Sequence, residues 1–478
     1  MLMCRSRGCL LTALALVACA LHPVVSYATD DPYRTERLVP PSPFTPWPHT
    51  EGVQEQYQAY IDLAPSTAGP LTLAQLTDMA LRNNPRTRQS WAAARAEAAQ
   101  YGVAQSALAP VIDVLVNANR ARVISGTSGL ASPEQNRYGP TVSLSYILYD
   151  FGARQAEVEA QGYRVLAANL TQNRVLQEVV FNVEQAYFRL LGFEQLVRVG
   201  VQALKAREAT LDAARRRHQA GLATIGDVFR SETAVAQVTL QLRRAEGEVS
   251  KARGQLAAAC GVPVATALVL QPWSQRLDSV QVKESMESML KKASASRPDL
   301  AAAESRVKAS RAAVNAASSA GMPSLELNLQ GQRQYYTDSR PNADGSLIAF
   351  NLRIPIFDGW RDDYLVRRAE AQLRQAEAAR DIALSQAELD VWQAYYDLQT
   401  ALTSIATTDT LVQGAEQSAS VAAARYQSGV GNLLDLLTAQ EDETLAQAQS
   451  VQSRLDWYTA LARLNFALGV SGVLGNTP

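Results

Sequence analysis

Side chains able to do chemistry are few in this sequence, and they are widely spaced. Three histidines, His22, His49 and His218, and four cysteines, Cys4, Cys9, Cys19 and Cys260, offer no metal-ligand spacing. No phosphate-binding glycine loop occurs, and no nucleophile stands in a motif that supplies its base. The chain is therefore expected to be no enzyme, with no cofactor and no metal. One covalent site does stand out: Leu16-Val17-Ala18-Cys19 has the pattern of a lipobox, which would leave Cys19 as a diacylated N-terminus. The other groups with positional meaning are Asp227 and Asp435, each six residues after a glycine, Gly221 or Gly429, that can end a helix. A carboxylate there sits in the first turn of the next helix, where the helix dipole favours negative charge.

The elements that carry these residues belong to an exported protein. Arg5 and Arg7 precede an apolar run, Cys9 to Ala18, that is too short to span a bilayer and reads as a secretory signal. It ends at residue 18 if Cys19 is lipidated, or at residue 28 if Ser26-Tyr27-Ala28 is the cleavage site. Only Cys260 lies beyond the leader and Cys19, so no intrachain disulfide framework is expected. The 478 residues carry 45 Lys+Arg against 46 Asp+Glu, a balance that excludes a nucleic-acid protein held by phosphate neutralisation. No later segment has the ~18 consecutive apolar residues of a membrane helix.

Self-comparison finds a duplication. Pro85 and Pro298, and Pro110 and Pro323, lie 213 positions apart. Past a loop the offset becomes 208: Asp150 matches Asp358, Gln185-Ala186-Tyr187 matches Gln393-Ala394-Tyr395, and Asp227 matches Asp435. The expected organisation is a Pro-rich arm (19–70), a first repeat (71–262), a linker (263–283), a second repeat (284–470) and a tail (471–478). Each repeat predicts a helix, two extended segments, a very long helix and a last helix. These are Leu73–Leu108, Ala153–Gln219 and a helix starting near Asp227 in the first half; Leu290–Ser319, Trp360–Gln427 and Leu433–Leu468 form the second set. The long helices place Val175, Val179, Val183, Ala186, Leu190 and Phe193 at steps of three and four, the seam of a coiled coil. Helical periodicity alone would equally suit a soluble bundle.

The extended segments argue against that bundle. Ser324 to Gln334 alternates Leu325, Leu327 and Leu329 with Glu326, Asn328 and Gln330, and Leu347 to Phe357 repeats the pattern. Ile112, Val114 and Val116, then Val142, Leu144 and Tyr146, do the same in the first half. Segments of ~10 residues with one apolar and one polar face match outer-membrane strands. Four strands cannot close a barrel, and an open sheet edge is not tolerated in lipid, so several copies must share one sheet.

With these features together the sequence resembles the TolC-type outer-membrane efflux proteins over about 71–470. The resemblance rests on the duplication, on Ala80-Leu81-Arg82-Asn83-Asn84-Pro85, on Leu148-Tyr149-Asp150-Phe151-Gly152 with Ile356-Phe357-Asp358-Gly359, and on Gly221 to Val228. It implies a mostly α fold with transmembrane β. In such a homotrimer a long coiled-coil helical barrel projects through the periplasm from a twelve-stranded outer-membrane β-barrel, to which each chain gives four strands. It further implies a periplasmic adaptor and an inner-membrane pump as partners, and efflux of toxic small molecules or drugs. A type I protein-secretion duct is the alternative. A periplasmic adaptor is a weaker one, because an adaptor carries one helical hairpin between β-rich domains. By this resemblance the adaptor meets the tip turns at Gly221, Leu222, Asp227, Gly429 and Val430, and Tyr426 and Asp435 belong to the periplasmic gate. The family's gate arginine falls at Gly431 and its second aspartate at Thr438, so closure is expected to rest on a ring of Asp435 from three subunits. The run Arg215-Arg216-Arg217 reads as an ordinary cationic helix end.

Overall fold

The computed structural model describes residues 35–47, 69–121, 135–271, 285–337 and 340–470. Cys19, both cleavage sites, most of the Pro-rich arm, part of the linker and the tail lie outside the described residues. The elements run α1 (Leu73–Asn83), α2 (Pro85–Ser106), β1 (Val111–Ala121), β2 (Gln135–Tyr149), α3 (Ala153–Gln219) and α4 (Ile225–Ala259) in the first half. The second half follows the same order: α5 (Met286–Ser296), α6 (Pro298–Ala320), β3 (Ser324–Tyr336), β4 (Ala343–Arg353), α7 (Arg361–Gln427) and α8 (Leu433–Ala467). Contacts divide the chain into two compact units. One holds Ala94–Leu166 and Lys308–Arg374 with the residues through Pro41; the other holds Ser42–Ala93, Ala167–Val307 and Gln375–Pro478.

The first unit contains an antiparallel sheet in the order β1-β2-β3-β4. Each hairpin keeps one register throughout, from Val111↔Ser145 to Ala121↔Gln135 and from Ser324↔Arg353 to Gln334↔Ala343. The β2–β3 pairing joins the two halves, with an irregularity between Ile147 and Tyr149. Because side chains alternate across a sheet, this register puts Ile112, Val114, Val142, Leu144, Leu327, Leu329, Ile348 and Phe350 on one face. The opposite face carries Asp113, Ser143, Ser145, Glu326, Asn328 and Gln330, and the Ser145 hydroxyl donates to Glu326 Oε1 at 2.6 Å. Val114 is 67% exposed and Ile348 71%, so the apolar face is uncovered. No helix among the described residues is long and apolar enough to cross a membrane.

The second unit is helical. Leu76 of α1, Leu176, Val179, Val183 and Leu190 of α3, Leu256 of α4, Val391 and Leu398 of α7 and Trp457 and Leu464 of α8 bury one continuous core. The Phe188 and Tyr458 rings stack there at 4.7 Å. Residues 42–47 of the Pro-rich arm lie against α3 of their own chain: Asn173 exchanges two hydrogen bonds with the Trp47 backbone, at 2.6 and 2.7 Å.

Several boundaries differ from those expected. The helix expected over Leu73–Leu108 is broken at Asn84, and the one over Leu290–Ser319 is broken at Arg297; both residues are extended, with ψ of 128° and 120°. Each precedes a proline, whose ring excludes the helical conformation at the residue before it but suits the first position of a new helix. The side chains at the breaks are then used. Asn84 Nδ2 donates to the Ala259 carbonyl at 3.0 Å, and Arg297 Nη1 donates to the Ala467 carbonyl at 3.3 Å, so each break caps the last helix of its own half. Strand β4 covers Ala343–Arg353 rather than Leu347–Phe357, since Pro355 has no N–H to give the ladder.

Candidate functional site

Two helix-to-helix turns in the helical unit carry the candidate residues. Helix α3 ends on Gly221 at φ +77°, with Leu222 N–H donating to the Arg217 carbonyl at 2.8 Å. Helix α7 ends on Gly429 at φ +81°, with Val430 N–H donating to the Arg425 carbonyl at 3.0 Å. Both are glycine C-caps that reverse the chain within a few residues. The next helices start on side-chain caps. Thr224 and Asp227 form a capping box, in which Asp227 Oδ2 accepts from Thr224 N and Oγ1 at 3.1 and 2.9 Å. Asn432 Oδ1 accepts from Asp435 N at 2.7 Å. Asp227 thus spends its carboxylate on its own helix. Asp435 is exposed, and its carboxylate accepts no hydrogen bond among the described residues.

No hydrogen bond joins Tyr426 to Asp435 among the described residues. Tyr426 is buried, packed on Leu433 and Leu436, and its partner is Arg217. Arg217 Nη1 donates to the Tyr426 carbonyl at 2.6 Å, and its guanidinium lies 4.9 Å from the centre of the Tyr426 ring. The Tyr426 hydroxyl is buried with no hydrogen-bond partner among the described residues. Burial pushes this phenol above its ordinary pKa; the Arg217 charge pulls it down and the Asp227 charge pushes it up. The arginine run therefore divides its labour. Arg215 pairs with Glu232 and Arg216 with Asp212, each at 2.7 Å, whereas Arg217 ties the end of α3 to the end of α7. Sequence reasoning missed Arg217 because its partner lies 209 positions away.

Gly431 lies in the second turn, and the backbone leaves it little room. A Cβ at this position would lie 3.0 Å from Arg425 Cβ and 3.1 Å from Tyr426 N. Around the turns Leu222 (70% exposed), Ile225, Phe229, Val430 (75%) and Leu434 present apolar surface. Behind them α4 and α8 line a groove of about 640 Å³ with Phe229, Arg230, Leu434 and Glu441 among its walls.

Similarity to known proteins agrees with this architecture. The sequence profile of the outer membrane efflux protein family matches residues 76–262 and 289–470. Protein CyaE of Bordetella pertussis is 30% identical over 417 residues, covering 85% of this chain and 86% of that protein. The pyoverdine export outer membrane protein OpmQ of Pseudomonas aeruginosa is 27% identical over 427 residues, covering 85% of each. A crystal structure of a membrane protein from Pseudomonas aeruginosa superposes with a TM-score of 0.75 at 26% identity, over 83% of this chain and 93% of that one. With a profile match over most of its length, the chain belongs to the outer membrane efflux protein family, as a channel subunit of the outer membrane.

Proposed function

We propose that this channel is the exit duct of a tripartite export system. Three copies close one barrel, and cargo enters from an inner-membrane pump through a periplasmic adaptor. The observation that carries the reading is the sheet with its exposed apolar face. Among the described residues β1 and β4 each pair with one neighbour only, and lipid does not tolerate the edges this leaves. Further copies of the same sheet supply the missing partners. The exposed side chains of Leu222, Ile225, Phe229, Val430 and Leu434 are the surface we assign to the adaptor. Small toxic molecules are the cargo we assign, in keeping with the pyoverdine export named for OpmQ. A deletion strain should lose tolerance to such compounds and regain it with the plasmid-borne gene. Unchanged tolerance, with loss of a secreted protein from the medium, would establish the protein-secretion alternative instead. Diacylation of Cys19 belongs to the same proposal, and Cys19→Ala should abolish fatty-acid labelling of the mature protein.

We assign closure of the duct to the two turns, with Arg217 and Tyr426 locking one turn to the other and exposed Asp435 setting charge at the opening. Arg217→Ala removes both the 2.6 Å hydrogen bond and the cation on the ring. It should raise single-channel conductance in planar bilayers severalfold while leaving the sheet untouched. Asp435→Ala should instead lower cation preference. Wild-type conductance in Arg217→Ala, together with unchanged conductance and cation preference in Asp435→Ala, would remove these turns from the gate.

A further inference from the structure

The groove behind the two turns holds a cation that its surroundings compensate only in part. Arg207 of α3 borders the groove between α4 and α8, yet the residue is only 5% exposed. Among the described residues its side chain makes one hydrogen bond, from Nη1 to the Leu437 carbonyl at 2.9 Å, and no ion pair. Burial lowers its pKa, and the charge of Glu441 on α8 raises it by less. Arginine nevertheless stays charged, because its ordinary value lies far above neutrality. A buried charge without a close partner carries a large desolvation penalty, and this chain gives the comparably buried Arg297 two carboxylates. In the 208-residue register Ala415 holds the place of Arg207, so the cation belongs to one half only.

The walls around this cation have the make-up of a small-molecule site. Phe229 and Val238 of α4 and Leu434 and Leu445 of α8 supply apolar surface, while Gln237 and Thr438 add uncharged hydrogen-bonding groups. Arg230 stands on the same wall as Phe229, exposed and paired with Asp227 only at 3.9 Å. The volume of about 640 Å³ falls in the range that takes a drug-sized ligand, ~300–1,000 Å³. A helix of ~10–12 Å diameter displaces roughly 500 Å³ per turn, so the groove would hold little more than one turn of a partner helix. The burial of Arg207 also restricts access to a slender group.

We propose that this groove binds an amphiphilic organic anion, a carboxylate on an aryl or alkyl body. The carboxylate accepts two hydrogen bonds from Arg207 Nε and Nη2, the edge of the fork that the Leu437 bond leaves over. The body lies on the apolar walls between α4 and α8, with Arg230 adding positive charge. Such a ligand bridges the last helix of the first half and the last helix of the second, and so braces the helices that carry the two turns. The site depends neither on the sheet nor on the duct reading, since every residue in it belongs to the helical unit of one chain.

The probes are naphthalene-2-carboxylate and its neutral amide, naphthalene-2-carboxamide, titrated calorimetrically into the full-length protein in lipid nanodiscs, with empty nanodiscs as the baseline. The carboxylate should bind once per chain, and the amide about tenfold or more weakly, since it brings no charge to Arg207. Arg207→Met, which keeps the length of the side chain, should remove that preference by weakening the carboxylate to the level of the amide. Because this variant also loses the Leu437 bond, a second one fills the groove and leaves Arg207 untouched: Ala448→Phe, on the α8 wall, should abolish binding of both probes. Equal binding of acid and amide to the wild type would overturn the proposal, as would carboxylate binding that survives Arg207→Met. Loss in Arg207→Met with normal binding in Ala448→Phe would place the ligand elsewhere and overturn it too. No carboxylate binding at millimolar concentration, with Ala448→Phe unable to restore compound tolerance to the deletion strain, would assign the groove to a partner helix instead.

Discussion

Gly261→Ala should be among the most destabilising single-methyl changes in this chain, with Gly469→Ala close behind. Both glycines end a helix in the left-handed conformation, at φ +71° and +74°. That conformation alone costs an L-residue about 1–2 kcal/mol. The rest comes from the helix breaks pressed against them. A Cβ at Gly261 would lie 2.7 Å from backbone atoms of Asn83 and Asn84, and one at Gly469 would lie 2.8 Å from the Ser296 carbonyl oxygen. Backbone cannot swing aside as a side chain can, and Asn84 is held in place by its own bond to Ala259. Overpacking of this kind adds about 1–3 kcal/mol, giving a total of about 3 kcal/mol. Gly152→Ala is the control, because its φ is +85° but nothing lies within 4 Å of the new carbon. Thermal unfolding followed by helix circular dichroism should rank the losses Gly261, Gly469, then Gly152 well behind. Equal, small shifts for all three would show that the breaks yield.

This packing marks where sequence reading stops. Pro85, Pro298, Gly261 and Gly469 are all visible in the sequence, and their repetition revealed the two halves. Periodicity placed α3 at its observed bounds, because 67 residues of unbroken apolar spacing admit no other element. It also carried α1 into α2, since apolar spacing passes through Asn84 undisturbed while the proline effect acts on one residue. Alternation found all four strands but set β4 too far toward Phe357, where pattern persists after the ladder has lost its donor. At the turns, glycines and caps are local and legible. The partner of Arg217 is not, because a cation on a helix end is satisfied by the dipole in any sequence-level account. Asp227 and Asp435 hold equivalent positions in the two repeats; Thr224 against Asn432 at the cap is what separates one bound carboxylate from one exposed one.

Arg297→Leu should be the most damaging change of a charged residue. The guanidinium is 2% exposed and sits between two carboxylates, with Nη2 2.7 Å from Asp299 Oδ2 and Nη1 3.0 Å from Asp390 Oδ2. It also caps the Ala467 carbonyl, and Arg174 extends the cluster, 4.0 Å from Asp299 and 3.7 Å from the centre of the Phe466 ring. Burial works against the Arg297 charge, but the hydrogen bonds and charges of Asp299 and Asp390 hold its pKa above the ordinary value. Burial likewise raises Asp299, yet the Arg297 hydrogen bond and the Arg174 and Arg297 charges bring it below the usual carboxylate range. Removing one member of a fully buried pair costs about 3–5 kcal/mol; here the carboxylates keep 29% and 31% exposure, so about 2 kcal/mol is expected. The sign of the pH dependence follows. A carboxylate whose folded pKa is depressed contributes stability above its unfolded pKa of about 4 and loses it as pH falls through the folded value. Arginine stays charged throughout that window. The wild type should therefore lose thermal stability below pH ~4, while Arg297→Leu, already without the pair, loses less, so the two midpoints converge in acid. Arg297→Lys should keep the charge but not the two-carboxylate fork, and fall between them. A gap between wild type and Arg297→Leu that is independent of pH would assign the loss to the Ala467 cap and to packing, not to the ion pairs.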